Sequence, residues 1–359
     1  MGDEQHDKLV SGEAWAQFCD DLKAAGQLVQ DKSETDLDKA EGYRFLARLL
    51  RGGLNSYMET GDARFPLINN MAYQVKIGSD NPDSRYQTSP IDGRLNYRVT
   101  GSLGTVHYLS MTAFSGNYGS GQDRLGRMGF IDRGDLLVDD DGRVEIFVGP
   151  TPHDHNWIST SPEPGVLAIR QFFLDRSTEI PAELRIECLD HDELPEPTTP
   201  AKIAHQLEQA MMFVQGCSGI FAGWVDELLE PDRINSMSAE AGPMQGAWGD
   251  PNQIFRHGGY RLAENDALVI RFTPPDCFYW NFQVDNRWME SLDYRFLPVT
   301  INKHSVTYED DGSVVIVVAH RDPGFGNWLT TDGHTHGAIG LRWNQAVEDV
   351  EPSYEVVEI

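Results

Sequence analysis

Residues 277–294 read CFYWNFQVDNRWMESLDY, and the expected fold is organised around this stretch. Side chains of a strand alternate between two faces, so a period of two separates an apolar face from a polar one. The apolar face, expected to point into a core, consists of Phe278, Trp280, Phe282 and Val284. The polar face consists of Tyr279, Asn281, Gln283 and Asp285. The stretch therefore predicts a strand with one core face and one chemically specialised face.

The polar face carries groups that suit recognition of a small molecule. An aromatic ring, two carboxamides and a carboxylate can bind a ligand by stacking and hydrogen bonding. The alternative is a buried contact between sheets or subunits, in which Asn281 and Gln283 would bond to backbone groups. We expect a ligand site on this face, and the buried contact stays open.

The segment that follows, residues 286–294, has no clean period and suits a loop folded over a pocket. The expected ligand-binding residues are Tyr279, Asn281, Gln283, Arg287, Trp288 and Tyr294. The candidate acid and base groups are Asp285, Glu290, Asp293 and His320. Paired carboxylates can divide these roles when their environments separate their pKa values. Alternatively, Glu290 and Asp293 only hold the loop through ion pairs with Arg287 and Arg295.

An internal repeat covers both halves of the chain. The triplet Asp-Asp-Gly occurs at 140–142 and 310–312, and such triplets form hairpin turns because Gly supplies positive φ. In both copies an apolar strand, an Asn-Trp pair and an apolar strand ending near an Arg follow in the same order. The repeat predicts two homologous antiparallel β-sandwich (jelly-roll-like) domains, each preceded by α-helices. It also predicts that Trp157 corresponds to Trp328 and Arg170 to Arg342.

The remaining patterns divide the chain into segments. Apolar stripes of helical period predict helices at 11–30, 36–58 and 201–230, with Asp36 as a cap and Trp15 and Tyr43 in the core. Irregular residues 231–258 are expected to form a lid. The predicted segments are a helical segment 1–70, a first sandwich 71–190, a linker and helical segment 191–255, a second sandwich 256–348 and a tail 349–359. The tail either adds an edge strand or stays loose.

The charge and the cysteine content indicate which partners and which cellular compartment to expect. The net charge is −27, from 29 basic and 56 acidic residues, so we expect neither nucleic acid nor a membrane as a partner. The N-terminus shows no signal-peptide pattern, and no apolar run is long enough to span a bilayer. The cysteines are widely spaced without CxxC motifs: Cys19, Cys188, Cys217 and Cys277. We therefore expect a cytoplasmic protein.

Two His-x-His pairs raise the question of a metal. At positions i and i+2 of a strand, both imidazoles of His153 and His155, or of His334 and His336, would project to one face. Both pairs lie in stretches rich in Gly, Pro and Asp, and two histidines leave a site short of ligands. We therefore expect surface turn histidines and no metal or organic cofactor, with metal binding as the alternative.

The second repeat resembles the domain of unknown function 1214 family. The resemblance rests on 279–283, Asn286, Trp288, 290–294, Asn302, 320–322 and 326–329. Residues 81–86, 97–98 and 101 resemble the companion domain of unknown function 1254. The resemblance implies two β-sandwich or jelly-roll domains and a homo-oligomer, and it implies no particular reaction.

These observations favour a protein that binds a small organic ligand in its C-terminal sandwich. The aromatic and polar strand face suits a carbohydrate-like or ring-bearing substrate, and the acidic groups suit acid–base chemistry, either hydrolysis or elimination. GxSxG and P-loop motifs and a sound dinucleotide fingerprint are missing from the sequence, so those enzyme classes are not expected. The alternative is a non-catalytic binding or assembly protein whose aromatic strand face is a subunit interface.

Overall fold

The computed structural model describes residues 2–71, 74–116, 118, 126–190, 193–239 and 248–359. Its helices are α1 (Gly2–Val10), α2 (Glu13–Lys32), α3 (Asp36–Leu54) with a π-helical turn (Asn55–Glu59) after it, and α4 (Pro200–Leu228). The three helices expected from the apolar stripes are confirmed, and α1 is an addition. Residues 240–247 of the expected lid lie outside the described residues.

Threonine residues cap the N-termini of α3 and α4. Thr35 accepts a hydrogen bond from the backbone of Asp38, which bonds back to Thr35, so α3 starts with a capping box. The expectation that Asp36 caps this helix is wrong by one residue. Thr199 caps α4 by accepting a hydrogen bond from the backbone N–H of Lys202.

Two aromatic residues expected in the core lie at the surface. Trp15 is 59% exposed and Tyr43 is 47% exposed. The apolar stripe of α2 is narrower than the sequence suggested, because only Phe18, Ala25 and Val29 are buried. The core assignment of Trp15 and Tyr43 is therefore wrong.

Among the described residues, the first sandwich has nine strands in two sheets. They are β1 (Asn69–Asn70), β2 (Ser84–Asp92), β3 (Tyr97–Ser102), β4 (Tyr108–Ser115), β5 (Gly126–Asp132), β6 (Arg143–Gly149), β7 (Trp157–Ser159), β8 (Pro164–Phe172) and β9 (Glu183–Cys188). One sheet has the order β1-β2-β8-β4-β5, and the other has the order β7-β6-β3-β9. All pairs are antiparallel except β6 with β7.

The second sandwich repeats this arrangement. Its strands are β10 (Ser236–Ala239), β11 (Gln253–Arg261), β12 (Asp266–Phe272), β13 (Tyr279–Asp285), β14 (Thr300–Asn302), β15 (Val314–Ala319), β16 (Asn327–Thr330), β17 (His336–Asn344) and β18 (Ser353–Glu358). The sheets have the orders β10-β11-β17-β13-β14 and β16-β15-β12-β18. The C-terminal residues thus add β18 as an edge strand beside β12.

The two sandwiches have the same strand order, and their details correspond. Trp157 Nε1 donates to Gly149 O at 3.0 Å, and Trp328 Nε1 donates to Ala319 O at 3.1 Å. Arg170 lies opposite Ser110 on β4, as Arg342 lies opposite Asn281 on β13. The duplication predicted from sequence spacing is confirmed.

The described part of the chain has three main hydrophobic cores. Each sandwich has its own core, and Trp280, Phe282 and Val284 lie in that of the second. Phe278, expected beside them, is 41% exposed because it precedes β13 and stacks on His107 instead, at 4.2 Å between ring centroids. The third core joins α2, α3 and α4 to Trp288 of the second half. Among the described residues, none of the helices combines the length and apolar character needed to cross a bilayer.

Candidate functional site

The polar face of β13 is buried inside the chain. Tyr279, Asn281, Gln283 and Asp285 all have no exposed surface. Tyr279 Oη donates to Asp83 Oδ2 at 2.8 Å, and Gln283 Nε2 donates to Asp80 O at 3.0 Å. The face therefore meets residues 79–83 of the first half. This contact is internal to the chain, and ligand binding by these four side chains stays a prediction.

The loop after β13 binds the helices. Glu290 accepts a hydrogen bond from Arg48 Nη1 at 2.7 Å, and Trp288 Nε1 donates to Asp38 O at 2.8 Å, which fixes α3. Arg287 forms an ion pair with Asp226 of α4. Burial raises the pKa of Glu290 to about 7, although the charge of Arg48 opposes the shift.

The other predicted catalytic groups are dispersed. Asp293 pairs with Arg295 at 2.7 Å, and this hydrogen bond lowers the pKa of Asp293 to about 2. His320 Nδ1 lies 2.6 Å from Thr331 Oγ1. Tyr294 lies under the ammonium group of Lys76, at 5.3 Å from ring centroid to nitrogen. No hydrogen bond or ion pair found in the described part of the chain joins any two of Asp285, Glu290, Asp293 and His320.

The two His-x-His pairs have different surroundings. His155 is exposed and His153 stacks on Phe147, at 3.7 Å between ring centroids, as expected for turn residues. His334 and His336 are buried, so their assignment to a surface turn is wrong.

Both buried histidines face carboxylates of α3. His334 Nε2 lies 2.7 Å from Glu41 Oε2, and His336 Nε2 lies 3.3 Å from Asp38 Oδ2. Desolvation would lower the pKa of His334, but the hydrogen bond and charge of Glu41 raise it above its ordinary value. Within the described ranges, no group of three metal-ligating side chains is found.

A large cavity lies elsewhere, against the outer face of the first sandwich. It has a volume of about 1140 Å³ as bounded by the described residues. Its walls come from β2 and β8, from α4, from the connection between the π-helical turn and β2, and from residues 248–257. Phe213, Phe221 and Trp224 of α4 contribute apolar wall. None of the ten predicted site residues lines this cavity.

The cavity brings together equivalent arginines of the two repeats. Arg342 Nη2 donates to Ser79 O, and Arg170 Nη2 donates to Trp248 O. Ser79 and Trp248 both have positive φ, 58° and 57°. All four residues line the cavity. In each half, a backbone carbonyl thus accepts a hydrogen bond from the arginine of the other half. The carbonyl belongs to Ser79 in the first half and to Trp248 in the second.

The same exchange continues along both segments. Asn81 Nδ2 donates to Tyr279 Oη at 3.0 Å, and Tyr108 Oη donates to Asp250 Oδ1 at 3.2 Å. The following residues form the pairs Asp83 with Asn302 and Asn252 with Asp132, at 2.9 and 2.6 Å. The two sandwiches are therefore locked by reciprocal polar contacts, and the polar face of β13 is one side of this lock.

Comparison with known proteins now identifies the family. The family described as a protein of unknown function (DUF1214) matches residues 69–173 and 257–345, which fall in the two sandwiches. The chain belongs to the DUF1214 family. The resemblance of residues 81–86, 97–98 and 101 to the domain of unknown function 1254 is not confirmed, since they lie inside the first DUF1214 match.

The chain is also similar to solved structures. An uncharacterized protein from Burkholderia cenocepacia is 40% identical, with a TM-score of 0.95, over 98% of this chain and 99% of that one. The VPA0106 protein from Vibrio parahaemolyticus is 10% identical, with a TM-score of 0.49, over 95% of this chain and 99% of that one. Such a TM-score supports no inference. None of the curated proteins compared with this chain matches it significantly.

Sequence reasoning missed the cavity of this DUF1214 protein. Arg170 carried the one available signal, because a charged side chain in the apolar run VLAIRQFF recurs at the same place in the second repeat. Trp248 and Gln253 lay in a segment expected to be a lid, and no pattern assigned them a role. Their position depends on the exchange of segments between the halves, which spacing along the chain does not reveal.

Proposed function

We propose that this DUF1214 protein binds a small organic ligand in the cavity between the first sandwich and α4. The observation that carries the proposal is the combination of volume and lining. A volume of about 1140 Å³ has room for a metabolite-sized molecule, because ligand sites usually occupy about 300–1,000 Å³. Aromatic walls with a few convergent polar groups are typical of such sites.

The proposal moves the ligand away from the second sandwich. The polar face of β13 is occupied by residues 79–83, whereas residues of β2 and β8 in the first sandwich line the cavity. Ring-bearing ligands fit walls such as Phe213, Phe221 and Trp224. We thus keep the ring-bearing class of ligand inferred from the sequence and place its binding site in the cavity beside the first sandwich.

Acid–base chemistry on this ligand remains part of the proposal. Asp80, Asp250 and His257 line the cavity and carry groups able to transfer protons, whereas the four catalytic residues expected from sequence do not line it. The alternative, a binding protein without catalysis, needs only the cavity. Turnover of a bound compound distinguishes the two.

We further propose a cytoplasmic location and a homo-oligomer. All four cysteines are free, which is typical of a reducing compartment. The oligomer rests on the family resemblance alone.

A thermal-shift screen of a metabolite library tests the proposal. A ligand at 100 times its Kd raises the free energy of unfolding by about 2.7 kcal/mol. Ala168 lines the cavity on β8, so Ala168→Trp should remove the shift by filling ligand space. Val356→Trp, at an exposed position of β18, is the matched control and should keep the shift. A ligand whose binding Ala168→Trp leaves unchanged would place the site outside this cavity.

A further inference from the structure

We propose that the ligand carries a carboxylate and that Arg170 binds it, an inference that rests on the proposed function above. The second repeat shows what the guanidinium group requires. There, Arg342 Nη2 donates to Ser79, and Nη1 donates to Gln283 Oε1 at 2.6 Å. Both terminal nitrogens of the Arg342 guanidinium group thus find their acceptors within the chain.

The first repeat leaves this pairing incomplete. Thr112 lies opposite Ala168 on β8, as Gln283 lies opposite Gly340 on β17, so Thr112 takes the position of Gln283. The side chain of Thr112 is too short to place an acceptor beside Arg170 as Gln283 Oε1 is placed beside Arg342. Arg170 Nη1 and Thr112 Oγ1 are both buried without a hydrogen-bond partner.

The unpaired donor belongs to a charged side chain that is only 8% exposed. A buried N–H of a charged group that lacks an acceptor is costly, so an acceptor supplied from outside the chain would stabilise it. Arg170 lines the cavity. The missing acceptor is therefore expected to come from the molecule that enters there.

Two further donors at the cavity favour an oxygen-rich acceptor. Trp248 Nε1 and Gln253 Nε2 are buried, line the cavity and have no hydrogen-bond partner. Arg170 Nη1, Trp248 Nε1 and Gln253 Nε2 are N–H donors, so they match a ligand group that only accepts. A carboxylate offers the trigonal oxygen that Gln283 gives to Arg342, and its charge strengthens the bond to a guanidinium.

The acidic side chains around the cavity favour a single negative charge over a phosphate dianion. Asp80 and Asp250 both line the cavity. Asp80 already accepts from the backbone and hydroxyl of Ser291, and Asp250 from Tyr108 and Ser110. Their negative charge would repel a dianion more strongly than a carboxylate. Apolar walls then accommodate the remainder of the ligand.

Three pairs of probes test the assignment by isothermal titration calorimetry on the full chain. They are 2-naphthoate, phenylacetate and octanoate, each compared with its own primary amide. The unaltered protein should bind at least one acid about tenfold more tightly than its amide, because a hydrogen bond to a charged group contributes that much. Arg170→Gln should remove this preference.

Thr112→Gln provides the sharper comparison. Its carboxamide would take the place that Gln283 takes beside Arg342, so it should weaken binding of the acid about tenfold while leaving the protein folded. Thr112→Val, the control, keeps the side-chain volume without an acceptor and should bind the acid as before.

The outcomes distinguish the role of Arg170 from ligand binding in the cavity. Equal binding of acids and amides, failure of all three acids, or acid binding unchanged in both Arg170→Gln and Thr112→Gln would overturn the role of Arg170. Neutral library compounds that lose binding in Ala168→Trp would then still support the cavity. If no library compound shifts the unfolding of the unaltered protein, the proposed function itself is overturned.

Discussion

Arg170 and Arg342 hold equivalent positions on β8 and β17, and each donates from Nη2 to a backbone carbonyl of the other half of the chain. The carbonyls belong to Trp248 and Ser79, which both have a positive φ, 57° and 58°. The pairs differ at Nη1, which is bonded to Gln283 in one repeat and has no partner in the other. The two repeats therefore share the hydrogen bond from Nη2 of the arginine, whereas the hydrogen bond from Nη1 is found only in the second repeat.

Replacing Gln283 with Ala tests the internal lock. Gln283 bonds to Arg342, to Asp80 and to Asp285, so its removal leaves buried partners unsatisfied. We expect a loss of about 1–3 kcal/mol in the free energy of unfolding, measured by urea denaturation. Gln27→Ala, at an exposed position of α2, should change it little. An unchanged stability of Gln283→Ala would show that the lock contributes nothing.

The core face of β13 is tested by two aromatic truncations. Trp280 has no exposed surface and contacts Phe272 and Trp343 edge-on. Trp280→Ala should lower the free energy of unfolding by roughly 3–5 kcal/mol. Phe278→Ala should cost clearly less, because this ring is partly exposed. Equal losses in the two melting curves would contradict the face assignment.

Glu290 should make stability depend on pH. Its pKa rises from the ordinary 4.5 to about 7 in the folded state, so the folded protein retains a proton that the unfolded chain releases between these values. Its contribution is present below about pH 4.5 and is lost as pH rises towards 7. Glu290→Gln should therefore flatten the pH profile over this window. Glu264→Gln, on the surface, serves as control, and a profile that both variants leave unchanged would refute the assignment.

The His334–Glu41 pair should stabilise the contact between α3 and the second sandwich over a defined pH range. The pKa of His334 is raised above 6.5, so its contribution is present below pH 6.5 and lost as pH rises through the folded pKa. The pKa of Glu41 is lowered from 4.5, because His334 outweighs its desolvation, so its contribution is lost on acidification. The pair is therefore most effective between pH 4.5 and 6.5.

His334→Gln should cost the most stability inside this window, as measured by chemical denaturation across pH. The exposed His155→Gln is the matched control and should follow the unaltered protein. A cost of His334→Gln that is the same at pH 5.5 and pH 8.5 would show that packing, not charge, accounts for the buried histidine.

Much of the architecture follows from local pattern. Repeated spacing predicted the two sandwiches because the Asp-Asp-Gly turns and Asn-Trp pairs occur at matching places in each, and the indole hydrogen bonds of Trp157 and Trp328 match. The expectation that the Asp-Asp-Gly triplets form hairpin turns is wrong, because β5 and β6, like β14 and β15, lie in different sheets. The period-two pattern placed Trp280, Phe282 and Val284 in a core correctly. It failed at Phe278 because the strand begins one residue later.

The candidate site could not be predicted in the same way. Polar residues on β13 look alike in sequence whether they meet a ligand or another part of the chain, and here residues 79–83 cover them. The cavity depends on long-range exchange between Arg170 and Trp248 and between Arg342 and Ser79. Sequence patterns report local periodicity, and these contacts join residues far apart in the chain.

A crystal structure of the protein with the tightest-binding carboxylate probe tests the central claim most directly. The account predicts electron density in the cavity against β8, with a carboxylate oxygen about 3 Å from Arg170 Nη1. Density for the probe elsewhere, with the Arg170 edge still empty at saturating concentration, would contradict it.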